Sequence, residues 1–148
     1  MSDHASWKRA FPDAIQVAHC ADCPRGSMDV ELEGTDPWDD VGGFGGFRAY
    51  HVPGHSEGSV FYQSLEHSAV FTGDSIGLWT SRPTGFGAFS RSGRERQAQS
   101  LREYVRTAPF CCAVLPGHGR PEYFEGKQEL RKFFDVAADG LVGGRSRL

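Results

Sequence analysis

A layered α/β or α+β domain, with helices packed on a sheet, is the fold class this sequence predicts. Three observations carry the expectation. The first half holds short runs in which apolar and polar residues alternate, the period of a strand. The second half holds two stripes with helical spacing. One apolar run stands between those stripes, so the order is strands, then helix–strand–helix.

Each element follows from local chemistry. Residues 1–12 contain the good helix formers Ala5, Lys8, Arg9 and Ala10, and Pro12 ends the segment. From Asp13 to His19, Ile15 and Val17 alternate with polar neighbours. Met28, Val30 and Leu32 do so more cleanly against Asp29, Glu31 and Glu33. Gly42 to Gly46 is a turn region, and it is no phosphate loop because no Gly-Lys-Ser/Thr follows. Phe47–Val52, Ser59–Gln63 and Ser68–Phe71 read as three strands. Ser75 to Gly93, rich in Gly, Ser and aromatics and without a period, reads as a long loop. Ala98, Leu101, Tyr104 and Val105 form one helical stripe, and Leu130, Phe133, Phe134 and Ala137 form the other. Cys111–Leu115 is the strand between them, with Cys112 expected as a buried small hydrophobe. One domain over residues 1–142 and a frayed tail over 143–148 complete the outline.

Composition narrows the function classes. At 148 residues, the chain can bury a core without disulfide staples. A net charge of −3 gives no broad basic field for nucleic acid or anionic lipid. No apolar run approaches the ~20 residues of a membrane span, and the opening MSDHASWKRAF lacks a secretory signal. A cytoplasmic or organellar location is therefore expected. Of the four cysteines, Cys20-Ala-Asp-Cys23 forms a C-x₂-C beside His19, but Cys111-Cys112 cannot supply the second knuckle of a zinc ribbon. The Cys20/Cys23 pair is open to a structural, a redox or a metal role.

The chemistry concentrates at three strand ends. Phe47-Arg-Ala-Tyr-His-Val52 runs into Pro53-Gly54-His55, Ser68-Ala-Val-Phe71 into Thr72-Gly73-Asp74, and Cys111-Cys-Ala-Val-Leu115 into Pro116-Gly117-His118. Glycine precedes the polar residue each time, which permits φ > 0 and close backbone approach. Proline stiffens two of the turns. Imidazole and carboxylate suit Zn²⁺, which takes N and O donors at ~2.0–2.2 Å. A lone Pro-Gly-His is also a common turn with an exposed imidazole; two of them flanking a Gly-Asp point to a metal. Asp3-His4 is a further candidate pair, and equally an ordinary chain terminus. His19, His51 and His67 read as structural.

These motifs, His51-Val-Pro-Gly-His55-Ser-Glu-Gly58-Ser, Phe71-Thr-Gly-Asp74 and Leu115-Pro-Gly-His118-Gly, resemble the last three metal motifs of the metallo-β-lactamase superfamily. The likeness spans about Asp3 to Phe134 and is closest to the glyoxalase-II-like hydrolases and to plant and cyanobacterial proteins that join this domain to a ferredoxin-like module. It implies an αββα sandwich, of which this chain carries mainly the C-terminal half. It implies that His55 binds the first metal, that Asp74 bridges two, and that His118 binds the second. Asp3 and His4 match the end of the family's opening His-x-His-x-Asp-His motif and would both serve the second metal, with Asp3 also orienting the attacking water. The two leading histidines have no counterpart. One zinc is therefore expected rather than two, at the second site.

The resemblance also implies hydrolysis of a small ester or thioester. Trp79, Phe86 and Phe89 would pack the substrate, and Arg82 or Arg91 would pair with its anionic group. An incomplete sandwich would leave apolar sheet exposed, which implies a homo-oligomer or a partner chain. The alternative to an enzyme is a non-catalytic fragment that completes such a partner.

Overall fold

The computed structural model describes residues 4–43, 45–85 and 91–143, the first two residues of the last stretch by backbone alone. Helix α1 (His4–Ala10) opens it, ended as expected ahead of Pro12. Strands β1 (Val17–His19) and β2 (Val30–Leu32) pair in parallel as a small separate sheet. The main sheet contains β3 (Trp38–Asp39), β4 (Phe47–His51), β5 (Val60–Ser64), β6 (Ala69–Leu78), β7 (Thr84–Gly85), β8 (Ala113–Gly119) and β9 (Glu122–Tyr123). Its order is β3-β4-β5-β6-β8-β9, with β7 also pairing with β6. Two long helices, α2 (Arg91–Thr107) and α3 (Lys127–Gly143), complete the fold. The mixed α/β class expected from the sequence is what the structure shows.

Strand alternation sorts side chains between two cores. Tyr50, Val52, Phe61, Val70 and Val114 point to the face covered by α2 and α3, where they meet Ala98, Leu101, Tyr104, Leu130 and Phe134. Aromatic rings hold the centre: Tyr104 lies 5.1 Å from Phe61 and 5.4 Å from Phe134, edge to face in both cases. A buried amide is satisfied there, with Gln63 Nε2 donating to the Pro109 carbonyl and Tyr104 Oη donating to Gln63 Oε1. On the opposite face Ala49, Val60 and Tyr62 pack under the β1–β2 sheet through Val17, Val30 and Leu32. Tyr62 Oη donates to the Val17 carbonyl, and burial pushes its phenol up to about 12.

That second face is covered only in part. Phe71, paired with Tyr62 and Leu115, is 43% exposed, and Tyr123, paired with Ala113, is 71% exposed. No described helix is long and apolar enough to cross a membrane.

Several expected boundaries are corrected. The long loop from Ser75 begins instead as strand: β6 continues to Leu78, with Ser75, Ile76 and Leu78 all buried. This stretch is flanked by β7 and β8 and covered on its core side, so alternation, the sequence signal of a strand, is lost. The loop ends early as well, because α2 begins at Arg91. Ile15 is 40% exposed and outside β1, and Met28 precedes β2. The short β3 and β9 had no period to betray them. Cys111 is the buried thiol, raised to about 11 by desolvation, whereas Cys112 is half-buried. Helix α3 runs through Gly143, and the rest of the expected tail lies outside the described residues.

Helix α1 is held by one carboxylate. Asp29 Oδ2 accepts from the Gln16 amide at 2.8 Å and from Lys8 Nζ at 2.8 Å, while Gln16 Nε2 donates to the His4 carbonyl. The Gln16 amide first, and then Lys8, hold the Asp29 carboxyl below its usual range. A lowered value places the stabilising contribution above the ordinary aspartate range and removes it as pH falls through the folded-state value. Acidification through that window should therefore release α1 before the core yields. Amide exchange at Gln16 should accelerate there while that of Leu101 stays slow, and Asp29→Asn should abolish the pH step.

Candidate metal centre

The three motifs converge on one another. Asp74 stands in the middle, with His118 Nε2 3.4 Å from its Oδ1 and His55 Nε2 4.0 Å from its Oδ2. The carboxylate thus presents a different oxygen to each imidazole. All three side chains remain open to solvent, His55 the least at 31%. A cavity of about 330 Å³ opens beside them, lined by His55, Ser56, Thr72, Asp74 and Asp22.

Bare glycines permit this convergence. Gly117 lies against Asp74, and a Cβ on it would come within 2.5 Å of Asp74 Oδ1 and 2.7 Å of the Gly73 carbonyl carbon. Gly54 has φ +142, and a Cβ there would meet the Gln97 backbone of α2 at 2.4 Å. Helix α2 therefore packs behind the site. Its buried Gln97 touches the residue before His55 and donates from Nε2 to the carbonyl of Ser75, the residue after Asp74. Arg96, on the same turn, pairs with Glu57 in the His55 loop.

Asp74 and His118 are not past the ends of their strands, as expected, but within β6 and β8. The parallel β6–β8 register shifts twice, between Phe71 and Gly73 and again between Gly73 and Gly77, so Asp74 sits in the bulged stretch. Bulges re-aim side chains and recur beside functional sites. His118 is paired with Gly77. Trp79 folds back over Gly77 and stacks on His118 with ring centroids 5.6 Å apart.

Other expected site residues lie elsewhere. His4 opens α1 and lines a neighbouring cleft with Trp7, Gln16 and Cys23; Ala18 and Asp22 form the wall it shares with the Asp74 cavity. Arg82 lines a separate cleft against Tyr123, Phe124 and Phe133. Asp3, Phe86, Phe89 and the Arg91 side chain lie outside the described residues. His19 and His51 stack in parallel at 4.4 Å, with His19 Nδ1 accepting from the Ala21 amide and His51 Nε2 donating to the Glu57 carbonyl, so both brace loops. His67 is exposed in the turn between β5 and β6.

Sequence reading missed Asp22. Its Oδ1 accepts from the Gly58 amide at 2.9 Å and its Oδ2 accepts from Ser56 Oγ, which fastens both ends of the segment that follows His55. Nothing in its own neighbourhood signals this; the only hint is the glycine at position 58, where a Cβ would meet Asp22 Cγ at 2.7 Å.

The donors suit zinc in type, and one pair of them does so in spacing, while His55 stands wider at 4.0 Å from Asp74. Two ligands at ~2.1 Å from one tetrahedral ion lie roughly 3.4 Å apart, and the His118–Asp74 separation is 3.4 Å. Among the described residues, however, no group of three or more His, Cys, Asp or Glu is drawn together around a single point. The trio is a loose one, with Asp74 as its hub.

Solved structures share the fold that carries this arrangement. The chain aligns with a metallo-β-lactamase from Hirschia baltica at TM-score 0.55 and 18% identity, over 75% of this chain and 48% of the other. It aligns with a metallo-β-lactamase from Pontibacter korlensis at TM-score 0.55 and 15% identity, over 82% and 52%. A third, from Erythrobacter litoralis, gives TM-score 0.52 and 16% identity, over 73% and 50%. The fold is that of the metallo-β-lactamases. The chain spans about half the length of the solved structures it resembles. No protein-family model matches it, and no curated protein does.

Within this metallo-β-lactamase fold, the space between Gly117 and Asp74 leaves no room for a side chain at position 117. Gly117→Ala should push Asp74 from His118 and cost about 1–3 kcal/mol through overpacking. Denaturant unfolding would measure that loss, and the His118 imidazole resonances should shift while those of His67 do not.

Proposed function

We propose that this protein is a metallo-hydrolase-like member of the metallo-β-lactamase superfamily, nearest the glyoxalase-II-like branch, acting on a small ester or thioester. The observation that carries the reading is Asp74 set between His55 and His118, one carboxylate oxygen facing each imidazole.

In this reading Asp74 and His118 would hold one zinc, with Asp3 and His4 as the remaining ligands that the resemblance implies. His55 stands on the other side of Asp74, facing its second carboxylate oxygen. Zinc at such a site supplies Lewis-acid polarisation of a carbonyl and an acidified water. The chain's own residues do the rest. Gln97 fixes the spacing of the His55 and Asp74 loops, so the donors are positioned before substrate arrives. Trp79, 56% exposed, offers an apolar wall beside His118 for the acyl portion of a substrate. Asp3 would orient the attacking water.

Elemental analysis of purified protein should find about one zinc per chain, with binding dependent on folded ligands. His118→Ala should lose it, and His4→Ala should weaken it. Zinc-loaded protein should turn over an ester or thioester panel. Metal content equal to that of the His118→Ala control would remove the metal reading.

A second reading is favoured by the exposed strip on the sheet. Phe71 and Tyr123 lie uncovered on the face opposite α2 and α3, as expected of a chain that completes a copy of itself or a partner subunit. Sedimentation should then show concentration-dependent association, abolished by Phe71→Asp with Tyr123→Asp. A monomer at all concentrations would leave the enzyme reading alone.

A further inference from the structure

The Cys20-Ala-Asp-Cys23 turn is unused by the metal site, yet it is fastened to it. The turn is organised around His19, the last residue of β1. The Ala21 amide donates to His19 Nδ1 at 3.1 Å and the Asp22 amide to the His19 carbonyl at 2.9 Å. Both sulfurs approach the same residue, Cys20 Sγ at 4.0 Å from Nδ1 and Cys23 Sγ donating to the carbonyl at 3.4 Å. Cys20 is exposed and Cys23 half-buried, which is the asymmetry of an attacking and a resolving thiol. Between them stands Asp22, the carboxylate that clasps Ser56 and Gly58 in the loop carrying His55.

We propose that Cys20 and Cys23 form a reversible disulfide that loosens the His55 loop by displacing Asp22. The oxidant is a small-molecule disulfide, RSSR. The Cys20 thiolate attacks one sulfur and releases RS⁻, giving Cys20–S–S–R. The Cys23 thiolate then attacks Cys20 Sγ and releases the second RS⁻. Two thiols are oxidised, RSSR is reduced, and the two protons leave with the products as 2 RSH.

A disulfide needs its sulfurs about 2.05 Å apart. Closing it draws Cys23 Sγ off the His19 carbonyl, which the Asp22 amide shares. The turn contracts around Asp22. The Gly58 backbone cannot follow freely, because it already lies in contact with the Asp22 side chain and amide. The clasp on Ser56 and Gly58 is the element that yields. This thiol chemistry is independent of whether zinc binds.

The test uses the full chain, reduced and then equilibrated with oxidised glutathione. Alkylation and peptide mapping should show one intramolecular Cys20–Cys23 disulfide, reversed by dithiothreitol. Exchange of the Gly58 amide, followed by NMR, should accelerate about tenfold on oxidation, the equivalent of one lost hydrogen bond. Asp22→Ala should exchange fast at Gly58 in both redox states, and Cys23→Ser should stop at a glutathione adduct on Cys20 with Gly58 still protected. The proposal is overturned if both thiols stay alkylatable or if wild type stops at the mixed disulfide. It is equally overturned if the disulfide closes and Gly58 exchange is unchanged. The glutathione readout fails or succeeds without reference to zinc content, so it is distinguishable from failure of the metal reading.

Discussion

The contact of helix α2 with the His55 loop and with the bulged stretch of β6 is the constraint on which the site depends. Gln97 is fully buried, and its amide reaches the Ser75 carbonyl while its backbone admits only a glycine at position 54. A single helical residue therefore sets the distance between the His55 loop and the Asp74 bulge. The helix is held in turn by Leu101, Tyr104 and Ala98 in the core. Core packing and site geometry are coupled through one turn of helix, which is how a rigid scaffold positions donors that are open to solvent.

The sheet serves the site on both faces. On one, α2 and α3 bury the aromatic cluster of Phe61, Tyr104 and Phe134. On the other, the β1–β2 sheet covers β3, β4 and β5, and the turn after β1 delivers Asp22 to the His55 loop. The small sheet is thus more than a lid for Val60 and Tyr62. It brings an acidic side chain that fastens the His55 loop from outside the main sheet. The uncovered strip of Phe71 and Tyr123 begins where that small sheet ends.

Much of the fold was legible because its signals are periodic. The alternation of Phe47–Val52 and of Ser59–Gln63 and the stripes Ala98–Leu101–Tyr104 and Leu130–Phe133–Phe134 each report one buried face, and burial on one face is what periodicity encodes. Where burial is two-sided the signal disappears, and β6 beyond Asp74 was read as loop for that reason. Strands of two residues, β3, β7 and β9, are too short to show a period at all. For the site, the Gly-His and Gly-Asp pairs were legible because a glycine ahead of a polar residue marks close backbone approach, as the contacts of Gly54 and Gly117 bear out. Asp22 and Gln97 were not, because an acceptor or donor acting across 34 or more residues of chain, or from a helix interior, leaves no local trace.

By itself the sequence determined which residue types could do chemistry and which segments would be strands or helices, since both follow from side-chain identity and local spacing. Only the tertiary structure decided that His55 and His118 meet opposite oxygens of Asp74, that Trp79 lies on His118 and not Arg82 beside it, and that Asp22 clasps the His55 loop. Those relations depend on sheet order, on the bulged β6–β8 register and on the crossover through α2. They are long-range, and a shift of one residue in register would turn each of these side chains to the other face.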